Sequence, residues 1–236
     1  MPDSLSDGMK IGGLQRTSLN EYPGKICAII FTQGCNFRCH YCHNPELVLP
    51  ELFARPIPEE EIFAFLKNRP LLEGVTITGG EPCLQNDLPA FLQQLRSCRL
   101  AIKLNTNGSF PRVLETILAY RLVDYVSLDI KTSFPRYQEV TSVPVDTETI
   151  RDSLKLLLHS GIEYDLRTTV VRGLLNEDDL HTIGQLVQGA SKYIFQQFLP
   201  SKTVNPEFLR REAPAEVELE KFQRIMAQYV EKCEIY

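Results

Sequence analysis

Gly74-Val75-Thr76-Ile77-Thr78-Gly79-Gly80-Glu81-Pro82 opens one complete structural unit. GVTIT reads as a strand, Gly79-Gly80 as a turn, and Leu88, Phe91, Leu92 and Leu95 then recur at i, i+3, i+4 and i+7, the spacing of one helix face. The same rhythm is legible on both sides. Upstream, Lys25–Thr32 (KICAIIFT) reads as a strand, and Pro58 opens a helix with Glu59, Glu60 and Glu61 near its positive end. Downstream, strands at Leu100–Asn105, Asp124–Ile130, Glu163–Val171 and Tyr193–Phe198 alternate with helical spacing. The helices fall at Val113–Tyr120, at Ile150, Leu154, Leu157 and Leu158, around Leu180–Val187, and at Phe222, Ile225, Met226, Tyr229 and Val230. Parallel strands need crossover connections, so six such units in series imply a parallel sheet. The expected fold is α/β: a partial (β/α)6 TIM-like barrel with parallel strands and outer helices. Residues 25–236 would form this single domain, after an N-terminal extension at 1–24.

Composition narrows the class. The 236 residues, 43% hydrophobic and 23% charged, suit a globular domain. A net charge of −5 argues against a nucleic-acid surface, which is usually basic. No apolar run approaches the roughly 20 residues of a membrane span, and MPDSLSDGMK lacks the layout of a secretory signal. A cytoplasmic location is expected, with no membrane and no nucleic acid among its partners. Of seven cysteines, Cys27, Cys83, Cys98 and Cys233 are scattered singly, unlike a disulfide framework.

The other three are crowded together. Cys35-Asn36-Phe37-Arg38-Cys39-His40-Tyr41-Cys42 follows the first strand at spacing C-x3-C-x2-C, with no fourth cysteine to complete a set. Three thiolates can bind three irons of a [4Fe–4S] cluster and leave the fourth iron open to a ligand. A Cys3His zinc site completed by His43 is the alternative. Every other polar signature also falls just after a strand. Gly79-Gly80-Glu81-Pro82, Asn105-Thr106-Asn107-Gly108, Asp129-Ile130-Lys131 and Arg167 occupy the ends where barrel enzymes build their sites. Two glycines admit close backbone approach, and Glu81 would orient the turn or meet an ammonium. Lys131 or Arg167 would meet a carboxylate, and Asp129 would accept from hydroxyl or ammonium groups.

C-x3-C-x2-C after the first strand, with Gly-Gly-Glu-Pro after the second, resembles the radical S-adenosylmethionine superfamily. Within it, Tyr22-Pro23-Gly24-Lys25, Phe31-Thr32-Gln33-Gly34-Cys35 and Tyr41-Cys42-His43-Asn44-Pro45-Glu46-Leu47 resemble the activating proteins of anaerobic ribonucleoside-triphosphate reductase. The resemblance implies that Cys35, Cys39 and Cys42 ligate the cluster, and that S-adenosylmethionine chelates its open iron. It places Tyr41 near the adenine, Gly79, Gly80 and Glu81 near the amino group, and Asp129 and Lys131 on ribose or methionyl groups. Asn107 and Arg167 join these as candidate cofactor-binding residues. Activases commonly have Asp where this chain has Asn105, a departure that bears on any monovalent-cation site built on that carboxylate. The implied activity is reductive cleavage of S-adenosylmethionine to a 5′-deoxyadenosyl radical that makes a glycyl radical on a partner enzyme. Anaerobic ribonucleotide reductase would be that partner, and flavodoxin or ferredoxin the electron donor. The rival expectations are a small-molecule enzyme, such as a deazaguanine synthase, and a zinc-stabilised binding module. Two long loops, His43–Pro58 and Thr132–Asp146, stand where they would receive a substrate.

Overall fold

The computed structural model describes residues 8–236. Among the described residues eight strands follow one another through the sheet in sequence order. By contact the chain divides into two compact units.

The first unit holds residues 8–36, 46–105 and 112–125. Strands β1 (Ile11–Tyr22) and β2 (Lys25–Thr32) make an antiparallel hairpin. Its turn contains Gly24 at φ +71°, a conformation that favours glycine. β2 then pairs in parallel with β3 (Gly74–Gly79), and β3 with β4 (Ala101–Thr106). The intervening helices are α1 (Pro45–Val48), α2 (Glu59–Lys67), α3 (Leu88–Arg96) and α4 (Pro111–Ala119). α3 buries Leu88, Phe91, Leu92 and Leu95, the stripe its spacing requires. Alternate residues of β2, Cys27 and Ile29, pack with Tyr22, Tyr125, Phe31 and Ala101.

The second unit holds residues 37–45, 106–111 and 126–236. Its elements are β5 (Tyr125–Asp129), α5 (Tyr137–Thr141), α6 (Thr147–Leu158), β6 (Glu163–Val170), α7 (Glu177–Leu186), β7 (Tyr193–Gln197), α8 (Glu216–Met226) and β8 (Cys233–Ile235). β6, β7 and β8 pair in parallel. Asp146 caps α6 by accepting from Glu148 N. Asn176 and Asp179 form a capping box at the start of α7. A Cβ on Gly184 would lie 2.3 Å from the Tyr229 ring, so only glycine fits between α7 and the segment after α8.

The α/β class with a mostly parallel sheet is therefore as expected, and two strands are added to the six read from the sequence. β1 lies in the stretch read as an extension, whose residues 1–7 fall outside the described ones. Its IGGLQRTSLNEY is glycine-containing and polar, and bulges break its register with β2, so strict alternation is lost. β8 has three residues, too few to show a period. Both long loops contain helical turns: α1 and Pro50–Leu52 in one, Phe134–Arg136 and α5 in the other. The last helix ends at Met226 rather than running on to Val230. Among the described residues no helix is long and apolar enough to cross a membrane.

Candidate functional site

In the first unit the strand ends form a glycine corner. Gly80 N donates to Thr32 O (2.9 Å), Glu81 N to Gly34 O (2.8 Å), and Thr32 Oγ1 to Thr78 O (3.1 Å). A Cβ on Gly80 would stand 1.9 Å from Gly34 O, and one on Gly79 2.4 Å from Thr32 N. Gly79 sits at φ +118° and Gly34 at φ +93°. The glycine pair admits the backbone of residues 32 and 34, the latter one position before Cys35. Glu81 is buried, and its Oε1 accepts from Cys83 N at 2.9 Å, capping the turn Pro82–Leu84. It orients the turn, one of the two roles its position allowed.

Beside that corner, Asn105 is 7% exposed. Its Nδ2 donates to Glu21 Oε1 (2.7 Å) and Thr78 Oγ1 (3.2 Å), while its buried Oδ1 has no hydrogen-bond partner. Lys103 Nζ donates to Glu21 O (2.5 Å) and lies 3.6 Å from Glu21 Oε1. The amide is thus a donor to a carboxylate, which a carboxylate at position 105 would repel.

The second unit carries an ion group. Asp129 Oδ2 accepts from Lys131 Nζ (2.9 Å), and Asp129 Oδ1 accepts from Arg167 Nε (3.0 Å) with Nη2 also at 3.0 Å. Burial alone would raise the Asp129 carboxyl, but Lys131 and Arg167 outweigh it and hold it below its ordinary value. Burial likewise opposes the Lys131 ammonium, yet Asp129 foremost keeps its pKa well above the usual lysine range. Asp165, 1% exposed, stands 3.7 Å from Arg167 Nε. Tyr137 Oη accepts from Lys131 N at 3.1 Å and so pins the loop after β5.

Cys39 and Cys42 belong to this unit too. Cys42 N donates to Cys39 O (3.0 Å), closing a tight turn. Burial pushes the Cys39 thiol up to about 12, with Lys131 pulling against it. Between them Tyr41 is buried, edge-on to Phe198 at 6.4 Å, with an unpartnered hydroxyl. Asn107 is an Asx turn: its Oδ1 accepts from Ser109 N (2.9 Å) and Ser109 Oγ (2.6 Å). His43 stacks on Phe198 (5.3 Å, 9°) and pairs its Nε2 with Leu199 O (3.0 Å). Nε2 is thus committed to a carbonyl, and the zinc alternative, which needs one ring nitrogen, would have to use Nδ1.

Cys35 lies in the first unit, and Cys39 and Cys42 in the second. Among the described residues no group of three or more His, Cys, Asp or Glu side chains is gathered to hold a metal ion; the ligand set is read from spacing. Its chemistry suits an iron–sulfur group: three thiols outside any disulfide, soft donors. Tyr41's buried hydroxyl has no hydrogen-bond partner, and Lys131 keeps its charge beside Asp129. Sequence reasoning missed Tyr137, Asp165 and Glu21. Asp165 was within reach, since it stands two residues before Arg167 on the same strand and hence on the same face. Tyr137 and Glu21 had no comparable signal.

The chain is similar to several known proteins. A glycyl-radical enzyme activating enzyme by name, from Methanocaldococcus jannaschii, is 32% identical over 228 residues, 94% of this chain and 93% of its own. A 7-carboxy-7-deazaguanine synthase from Methanothermobacter thermautotrophicus is 40% identical over 101 residues, 42% of this chain and 38% of its own. The solved structure of Streptococcus suis SuiB bound to precursor peptide SuiA shares the fold with a TM-score of 0.68 at 11% identity, over 88% of this chain and 48% of that one. The sequence model of the Radical SAM superfamily matches residues 29–187, well over half of the length, and the chain belongs to that superfamily.

Proposed function

We propose that the protein is a glycyl-radical enzyme activase whose partner is anaerobic ribonucleoside-triphosphate reductase. The observation that carries the reading is the extent of the match with the M. jannaschii activating enzyme, 94% of one chain against 93% of the other. The match to a deazaguanine synthase covers 42% of this chain, so the small-molecule reading lacks the same end-to-end support. The reductase as partner rests on the motif resemblance around Cys35 and Cys42.

Cys35, Cys39 and Cys42 would hold a [4Fe–4S] cluster, leaving its fourth iron to S-adenosylmethionine. When bound, that cluster supplies the electron that cleaves S-adenosylmethionine, drawn from a donor such as flavodoxin or ferredoxin. The chain's own residues bind and orient. Gly79 and Gly80 would present backbone groups to the methionyl amine, with Glu81 fixing their turn through Cys83 N. Lys131 and Arg167 stay cationic and would receive the methionyl carboxylate, while Asp129, engaged by both, aims them. Asp129 Oδ2, which accepts from Lys131, would have a further lone pair for a ribose hydroxyl. Tyr41 would pack by the adenine, and Asn107 would shape its loop through the Asx turn.

The test combines anaerobically reconstituted, reduced protein with S-adenosylmethionine and an anaerobic ribonucleotide reductase. A glycyl-radical EPR doublet on the reductase, rising with 5′-deoxyadenosine, is expected. Strong stimulation of cleavage by a purine-like small molecule, with no radical on the protein partner, would transfer the reading to a small-molecule enzyme.

A further inference from the structure

The turn from Cys39 to Cys42 is gripped from two directions, by contacts that the ion group does not involve. His40 stacks on Phe208 (5.3 Å, 19°), which is 5% exposed and also carries the Arg211 guanidinium 4.4 Å from its ring centre. His40 Nδ1 lies 3.4 Å from Asn205 Nδ2, and His40 Nε2 lies 3.0 Å from Ser142 Oγ. An amide NH2 only donates, so Nδ1 is the acceptor and Nε2 carries the hydrogen toward the serine.

The backbone repeats the grip. Asn205 N donates to His40 O (3.0 Å), Val204 N to Cys42 O (3.0 Å), and Arg38 N to Thr141 O (2.8 Å). Both partners are braced beforehand. Asn205 Oδ1 accepts from Glu207 N (3.0 Å) and caps the turn Pro206–Arg210, while Thr203 Oγ1 donates to Asn205 O (2.7 Å). Ser142 closes α5 at φ +59°, a left-handed position that costs a non-glycine residue about 1 kcal/mol. A serine kept there presents its hydroxyl to His40, as glycine, the conformationally natural choice, would not.

We propose that residues 203–211 and Ser142 form a clamp that fixes the turn carrying Cys39 and Cys42 before iron is loaded and slows iron loss afterwards. His40, Phe208, Asn205 and Ser142 are its positioning residues. None of them touches S-adenosylmethionine or the reacting atoms on this account; they act through the loop. A short loop left free would have to be ordered by the cluster itself, at the entropic cost of fixing several residues. Hydrogen bonds and a ring stack supplied from more than 160 residues downstream remove that cost in advance. The inference rests on reading Cys39 and Cys42 as cluster ligands.

The test uses the full chain, reconstituted anaerobically with iron and sulfide. Three quantities are read for wild type, Phe208→Ala, Phe208→Tyr and Ser142→Gly: iron loss to a ferrous chelator, the EPR lineshape of reduced protein, and thermal unfolding before reconstitution. Phe208→Ala should lose iron on the order of tenfold faster with a broadened signal, in line with the loss of a buried aromatic contact. Phe208→Tyr keeps the ring and should stay near wild type. Ser142→Gly relaxes the backbone, so its unfolding temperature should hold or rise, while iron loss quickens about threefold for one lost hydrogen bond. That opposition cannot come from misfolding, and it keeps the idea testable even where Phe208→Ala folds poorly. Wild-type iron loss and lineshape in both Phe208→Ala and Ser142→Gly would overturn the clamp. A wild-type chain that takes up no iron at all would instead overturn the cluster reading beneath it.

Discussion

The glycine corner of the first unit and the ion group of the second follow strand ends in the same way, yet they are specified by opposite means. At Gly34, Gly79 and Gly80 the backbone segments lie so close that one added carbon would stand 1.9 Å from a carbonyl oxygen. The corner is defined by missing atoms. At Asp129, Lys131 and Arg167 the geometry comes from side chains whose charges offset one another and the cost of burial. Steric exclusion is nearly all-or-none, because packed interiors have little slack. Charge compensation is graded, and pH can adjust it. The two regions should therefore break differently.

Gly80→Ala should give the largest effect. Its Cβ meets backbone rather than a movable side chain, so about 3 kcal/mol or more of stability should be lost, the upper range of overpacking. Because the displaced backbone is residue 34, iron uptake and S-adenosylmethionine affinity should fall together. Chemical denaturation, iron content and an equilibrium titration on one preparation would show it. Gly161→Ala is the control: φ is +69° with nothing within 4 Å of an added Cβ, so only a conformational cost of about 1 kcal/mol is expected. An effect at Gly80 no larger than that at Gly161 would mean that close approach does not set the corner.

Asp129→Asn tests the other side of the contrast. Removing the anion deprives Lys131 and Arg167 of the carboxylate they share, with Asp165 still 3.7 Å from Arg167, and should cost about 2–4 kcal/mol near neutral pH, at or below the range for a fully buried pair. The pH dependence has a definite sign. The Asp129 pKa is lowered, so its contribution is present above the ordinary carboxylate pKa of about 3.9 and is lost as pH falls through its folded value. The Lys131 pKa is raised, so its contribution is complete below about 10.4 and is lost as pH rises through its folded value. Between about pH 5 and 9 the difference between wild type and variant should be flat, and it should shrink in acid. A difference that grows in acid would contradict the pairing.

How legible was this beforehand? The strand–loop–helix rhythm was, because β3 and α3 each show their own period, and so were the polar residues at strand ends. What went unread depends on distance along the chain. Nothing in IGGLQRTSLNEY announces that Glu21 will accept from Asn105, 84 positions later. Phe208 looks like any apolar residue until it stacks on His40. The Gly-Gly pair is legible as a place of close backbone approach, but that the approaching segment includes residues 32 and 34 is not. Spacing reports local periods and covalent clusters; it is silent about which distant segments will be brought together.

The smallest expected effect asks whether the first unit is specified by backbone alone. Asn105→Asp replaces an amide that donates to Glu21 Oε1 at 2.7 Å with a second acid at the same place. Two carboxylates that close cannot both ionise cheaply, so one pKa is pushed up. A raised carboxyl pKa means stability that is present while the group is protonated and lost as pH rises through the raised value. Lys103, 3.6 Å from Glu21 Oε1, offsets part of the repulsion, so the cost should be about 1 kcal/mol at pH 8 and should fade toward pH 5. Denaturation at the two pH values measures it. A loss that is the same at both would assign the effect to Thr78 and lost packing, and the first unit would then be steric throughout. A loss confined to high pH would show that the glycine corner has its own charge-tuned neighbour, and that the contrast between the two units is one of degree.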